Sequence, residues 1–317
     1  MRRSRWATAH RRGHGLVVAA TAMLLAGGCD GAPVAEDTAT PVDASVASPG
    51  GKDAEAGAPP FPTDGNGFDP GNFGADANDV DNTYLPLVPG TQFFYEGSSL
   101  NDEGERIEHS VIFTVTGLTK EIAGVHTVVG WDRDFEEGEL VEKELIFFAQ
   151  DLDGNVWHLG QYAEIYDGEE FEGAAPWIVG YVEGAKAGVA MPAEHQEGDP
   201  KYSEGYAPPP YFWQDFARVF KTGQRTCVPA GCYEDVLVTE EFEPRKPGAF
   251  QLKFYAPDVG YVRVGWRGAK EEEREVLVLT RIRQLDEEQL AAVHAEAFAM
   301  EARANVYGMT DPIEPRP

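Results

Sequence analysis

Basic residues are scarce in this chain. Its 317 residues include 26 Lys and Arg against 54 Asp and Glu, a formal net charge of −28 at pH 7. A surface of that sign repels phosphate backbones, so nucleic acid is excluded as a partner. Cysteine is scarcer still: three residues, an odd number, with no Cys-x-x-Cys spacing and no histidine beside the Cys227 and Cys232 pair. The local signatures of zinc sites and dithiol redox centres are therefore missing. His109, His126, His158, His195 and His294 are scattered, with no His-x-x-x-His or His-Glu-x-x-His spacing among them. There is no Gly-x-Ser-x-Gly elbow, no P-loop and no Gly-x-Gly-x-x-Gly opening a helix, which removes the sequence signals of serine hydrolases and nucleotide-binding enzymes. No apolar run reaches the roughly 20 residues that a membrane-spanning helix requires.

What is present starts with an address. Residues 1–28 hold Arg2, Arg3, Arg5, Arg11 and Arg12 and no acid, then a short apolar stretch, then Ala26, Gly27 and Gly28. That order of basic, apolar and small residues describes an export signal. Cys29 follows directly, and the junction resembles the lipobox of bacterial lipoproteins, with Leu25 standing four places before the cysteine instead of three. The resemblance implies acylation of Cys29 and a membrane as partner through the lipid, stable when more than one acyl chain is attached. Losing the signal with its five arginines takes the chain from −28 to −33. Cys227 and Cys232 then remain, and the short "TCVPAGCY" loop is expected to close as a disulfide in an oxidising compartment.

Residues 29–82 are built from Ala, Pro, Gly, Asp and Ser with almost no large apolar side chain. Such a composition buries too little surface to fold and is expected to act as an acidic tether. From residue 83 the texture changes. "TQFFYEG", "HSVIFTVTG", "HTVVGWDRD", "LVEKELIFFAQD" and later "YEDVLVTEEF", "FQLKFYAP", "GYVRVGW" and "REVLVLTRIRQ" are β-branched and aromatic runs broken by Gly, Asn and Asp. Asp153-Gly154 between two runs is a hairpin signal. The pattern predicts a mainly β fold over 83–284: an antiparallel barrel, half-barrel or sandwich of about eleven strands. One C-terminal α-helix is expected over 285–307, opened by a capping box of Asp286 and Gln289, packed on the β-domain and followed by a flexible tail over 308–317.

Two groups of residues are candidates for a site. In "WDRDFEEGE" alternation puts Asp132 and Asp134 on one strand face, where like charges repel unless a cation bridges them, and turns Arg133 away. A solvated hairpin tip is the favoured reading, with calcium at Asp132, Asp134, Asp151 and Asp153 as the alternative and the one candidate cofactor. The aromatic residues Trp157, Trp177, Tyr211, Phe212 and Trp213, with the stiff Pro208 to Pro210 run, suggest a loop over a barrel mouth that takes an apolar or glycan-like ligand.

"DNTYLPLVPGTQFFYEG", "FFAQDLDGNVWHLGQ", "GVAMPA" and "FYAPDVGYVRV" occur in this order between Asp81 and Val264. Together they resemble a family of uncharacterised exported bacterial proteins, often lipoproteins. The chain departs from that family at Leu159-Gly160-Gln161, where an aromatic-Gly-Glu is usual, and at Trp213-Gln214-Asp215, where Ala-Glu-Asp is usual. The resemblance implies export and no reaction. The resulting expectation is a non-enzymatic envelope lipoprotein, lipid-anchored on the periplasmic or outer side, that binds a small ligand or an envelope protein. A calcium-binding protein is the alternative, and a hydrolase with dispersed carboxylates the weaker one.

Overall fold

A computed structural model describes residues 67–304 and 310–316. The signal segment, Cys29 and the tether as far as residue 66 lie outside the described residues.

The chain forms two antiparallel meanders. The first comprises β1 (Thr91–Leu100), β2 (Arg106–Ile122), β3 (Val125–Glu136), β4 (Glu139–Gln150) and β5 (Val156–Asp167). β6 (Glu170–Ile178) and β7 (Lys186–Met191) both pair with β5, and two short strands follow, β8 (Tyr202–Ser203) and β9 (Gly205–Tyr206). The second meander comprises β10 (Phe216–Val228), β11 (Gly231–Phe242), β12 (Phe250–Ala256), β13 (Gly260–Arg267) and β14 (Val276–Gln284), and helix α1 (Glu287–Arg303) and β15 (Glu314–Pro315) complete the chain. β14 pairs with β1, which joins the meanders into one sheet running β8-β10-β11-β12-β13-β14-β1-β2-β3-β4-β5-β7-β9. The sheet is antiparallel and, among the described residues, no edge pair closes it, so of the expected forms a half-barrel or sandwich fits and a closed barrel does not. Its two ends nevertheless come from one place, because Glu204 alone separates β8 from β9. Gly188 makes that approach possible: a Cβ there would stand 1.9 Å from the Glu204 carbonyl carbon.

Local chemistry explains the hairpins. Ala123-Gly124 and Glu137-Gly138 adopt positive φ at both positions, the geometry that suits two-residue turns between right-twisted strands. Asp153-Gly154 lies in the β4–β5 turn, as expected. Cys227 and Cys232 face each other across β10 and β11 and are bonded, with Cα atoms 4.0 Å apart. α1 begins with the capping box formed by Asp286 and Gln289.

The two faces of the sheet differ. One carries α1, whose Val293, Ala297 and Met300 pack with Leu118, Trp131, Leu145, Phe147 and Leu159. On the other, Phe113, Phe148 and Val156 of the first meander meet Val219, Val236 and Tyr255 of the second, so the sheet curls around this inner face.

Two expectations change here. Residues 67–82, read as the end of the tether, lie against the domain: Phe68 and Phe73 pack their rings on Trp157 at 5.8 and 6.3 Å, and Asn78 donates to Thr119 at 3.1 Å. A few aromatic and amide side chains dock a segment whose average composition is that of a linker. The tail is likewise held, with Ile313 buried and β15 paired to β2. Lys120 of β2 organises this end. Its fully buried Nζ donates to Glu301 Oε1 at 2.8 Å, Thr310 Oγ1 at 3.0 Å and the Asp311 carbonyl at 2.6 Å.

Lys120→Met is expected to destabilise the domain by about 3–5 kcal/mol, since it strands the Glu301 carboxylate in a buried place. Urea denaturation measures the loss, and adding Glu301→Gln should restore part of it.

Candidate functional site

The inner face bears an unusual set of side chains. On β3 the apolar stripe Val128, Gly130 continues into Asp132 and Asp134; on β4 the stripe Phe148, Ile146 continues into Glu144 and Glu142. Register sets Asp132 opposite Glu144 and Asp134 opposite Glu142, a square of carboxylates on neighbouring strands. All four are buried, at 5%, 4%, 5% and 2% exposure for Asp132, Asp134, Glu142 and Glu144. In "WDRDFEEGE" only the turn Glu137-Gly138-Glu139 is a solvated tip, and Asp132 and Asp134 lie under the sheet. The reason is that both faces of β3 are covered, and Trp131, with Arg133 stacked over its ring at 4.3 Å, occupies the helix side. Like charges placed directly opposite each other in a sheet destabilise it unless something neutralises them.

His109 of β2 supplies part of the compensation. Its Nε2 lies 2.6 Å from Asp134 Oδ1 and its Nδ1 lies 3.0 Å from Oε1 of Glu275, the residue just before β14. Glu275 Oε2 also accepts from Gln251 Nε2 at 2.5 Å, and further round the sheet Lys253 pairs with Glu241 at 2.7 Å. Gly97 of β1 stands opposite His109 and lets the strands close up, since a Cβ there would be 1.8 Å from the Val276 carbonyl oxygen. Tyr95 and Tyr261 stack at 4.4 Å beside this group, and Tyr95 donates to the Tyr261 carbonyl at 3.0 Å.

The compensation is incomplete. Asp134 Oδ2, Glu142 Oε2 and Glu144 Oε1 are buried and accept no hydrogen bond. A buried acceptor left unpaired costs about 1–3 kcal/mol, and more when charged, so the group answers by holding protons. Burial, and then the neighbouring Asp134, pushes Asp132 up to about 8. Burial and the surrounding acids push Glu142 and Glu144 well above the ordinary carboxylate range. In Asp134 burial outweighs the pull of His109, and its affinity for a proton also rises. Burial works against charge on His109, yet Asp134 and Glu275 overcome it and hold its proton firmly. The result is a buried group of acids whose affinity for protons is raised above the ordinary carboxylate range.

The other nominated residues divide into separate places. Asp151 is committed to its turn, accepting from Asn155 N at 2.8 Å and Trp157 Nε1 at 2.8 Å. Asp153 accepts from Asn72 at 3.0 Å. Neither shares a site with Asp132 and Asp134, which face inward near the far end of β4. Among the described residues no three His, Cys, Asp or Glu are arranged to hold a metal ion. Trp177 and Trp213 stack at 5.2 Å with His158 against both, at 4.8 and 6.0 Å, whereas Trp157 sits under Phe68 and Phe73 in the helix-side core. Tyr211 packs at the edge of the Trp177 and Trp213 pair, and Phe212 lies under Arg245 at 4.0 Å.

Sequence reasoning missed His109, Glu142, Glu144, Gln251, Glu275 and Lys253. The signal was present in β3 and β4, where the acids continue an apolar stripe in phase.

No protein-family model matches the chain, and no curated protein matches it. Among solved structures it is similar to a protein from Bacteroides fragilis described as exported and of YmcC-like fold, at 16% identity and TM-score 0.37, covering 63% of this chain and 99% of the other. A protein from Parabacteroides distasonis described as a lipoprotein is similar at 11% identity and TM-score 0.34, covering 64% and 99%. Among the described residues no helix is long and apolar enough to cross a membrane.

The raised groups set a pH dependence. A carboxyl whose folded affinity for protons is raised stabilises the fold at low pH, and that contribution is lost as pH climbs through its folded value. His158 and His195, lowered by burial to about 3 and about 4, oppose this only below the ordinary histidine value of 6.5. Between pH 6.5 and 8.5 stability should therefore fall, by about 2 kcal/mol from Asp132 alone. Thermal melts across that range check the slope, and Asp132→Asn should flatten it.

Proposed function

We infer that the chain is an exported envelope lipoprotein, acylated at Cys29, whose β-domain takes up a small cationic ligand in its acid-lined inner face. The address rests on the basic segment, the apolar stretch and the lipobox-like junction at Cys29. The ligand class rests on one observation: Asp134, Glu142 and Glu144 each bury a carboxylate oxygen that accepts no hydrogen bond. An ammonium group brings a positive charge and three donors, which matches such acceptors. It fits better than a metal ion, because the acids are not arranged for coordination. The apolar or glycan-like ligand is less well supported, since Trp177 and Trp213 stack on each other and are 2% and 8% exposed.

Calorimetric titration with 1,4-diaminobutane and, separately, calcium chloride tests this at pH 7.5 in two buffers of different ionisation enthalpy. Diamine binding with proton release, lost in Glu142→Gln/Glu144→Gln, is the expected result. Binding of calcium alone would transfer the site to metal. Heat from neither would sink the cationic-ligand reading.

A further inference from the structure

The helix-bearing face has a second character over the second meander. Here β11, β12 and β13 align Glu240, Leu252 and Gly265 in one row and Val238, Phe254 and Arg263 in the next. Through β14 and β1 the same face continues to Arg281 opposite Phe94 and Arg283 opposite Gln92. Aromatic rings and guanidinium groups alternate across it. Arg267 lies over Phe250 at 4.3 Å, Arg263 over Phe254 at 5.2 Å, Arg281 over Phe94 at 3.9 Å, and Lys201 over Phe216 at 3.7 Å. α1 packs on this face at β2; farther round, Leu252, Phe254, Arg263 and Arg267 are half-buried and Arg281 and Arg283 exposed.

On this face Arg218, Arg263, Arg267, Arg281 and Arg283 stand with Glu96 and Glu240, a local excess of cations. The span from Lys201 to Arg283 holds 13 Lys and Arg and 12 Asp and Glu, near neutrality in a chain that stands at −28. Glu240 is buried and holds Arg218 and Arg267, and Glu96 is exposed nearby. Arg263 and Arg281 make no ion pair, the Arg263 Nε is buried with no acceptor, and Arg283 donates to the neutral Gln92 at 2.8 Å. Among the described residues Arg263, Arg281 and Arg283 thus stand on this face without a carboxylate partner. Phe94, Leu252 and Phe254 lie among them, half-buried.

We propose that this Arg/Phe face docks on an anionic lipid bilayer. The occupant follows from charge and shape together. Phosphate headgroups accept bidentate hydrogen bonds from arginine, and a broad, gently curved sheet face suits an extended surface better than a pocketed ligand. Aromatic and apolar side chains between the cations suit the boundary between headgroups and acyl chains. The lipid proposed at Cys29 would keep the domain at a membrane. Beyond a Debye length of about 8 Å the net negative charge is screened, so the local patch governs contact. The docking is independent of any ligand on the inner face.

The test uses the signal-free chain carrying Cys29→Ser, so that no acyl group contributes, in sedimentation with sized vesicles. Vesicles of phosphatidylglycerol and phosphatidylcholine in equal parts should bind it, pure phosphatidylcholine should bind it at least about tenfold more weakly, and high salt should release it. Arg263→Gln/Arg281→Gln/Arg283→Gln should lose at least about tenfold in binding. Arg281→Glu, at an exposed position, keeps the test valid should the triple variant fold poorly, and circular dichroism verifies both. Equal binding to the two vesicle types would overturn the proposal, as would unchanged binding in a folded variant. Competition by a synthetic peptide of residues 30–66 without any vesicle binding would assign the face to the chain's own acidic segment, and would overturn it too.

Discussion

Pairing of β14 with β1 is the contact on which the interior depends. The two strands are separated by most of the folded chain, and their register alone brings Glu275 against His109 and aligns both meanders on a common curl. Gly97 is the local condition for it, because any side chain there would collide with the Val276 carbonyl. A pairing of such long sequence separation must overcome a large loop entropy before it is rewarded, so the fold belongs among slow-forming β topologies. Once formed, it fixes the distance between the carboxylates of the first meander and the Gln, Lys and Glu of the second.

Charge is distributed against the usual rule. Asp132, Asp134, Glu142 and Glu144 sit under the sheet, and Arg263, Arg281 and Arg283 lie on its back. A polar interior costs stability unless its members are satisfied, and here several carboxylate oxygens are not. Hydrophobic burial on both faces bears that cost: Leu145 and Phe147 alternate with Glu144 and Ile146 in a single strand, and every one of them is buried. The site is thus embedded in the core instead of grafted on loops.

Much of the architecture was legible from residue alternation. β1 to β5 and β10 to β14 each correspond to an apolar run, and α1 is announced by its capping box. β6 and β7 were not legible, because "EFEGAAPWI" and "KAGVAM" hold few β-branched residues and gain their place from β5. The acid square was misread for a physical reason. Alternation reports two faces but names the apolar one as buried, and that inference fails where a helix covers one side and a curled sheet the other. Residues 67–82 show the same limit from another direction, since Phe68, Phe73 and Asn82 anchor a stretch whose mean composition denies it a structure.

The seam at Glu204 gives the molecule a weak point with a defined location. β8 and β9 hold two residues each, against strands of up to 17 residues elsewhere, so few backbone hydrogen bonds secure the two ends of the sheet. Local opening free energies scale with the contacts that must be broken, which makes this seam the cheapest cooperative unit to release. Its release parts β7 from β10 and leaves the long meanders intact. What such an opening would uncover first is the stacked Trp177 and Trp213 with His158, which lie beside the seam.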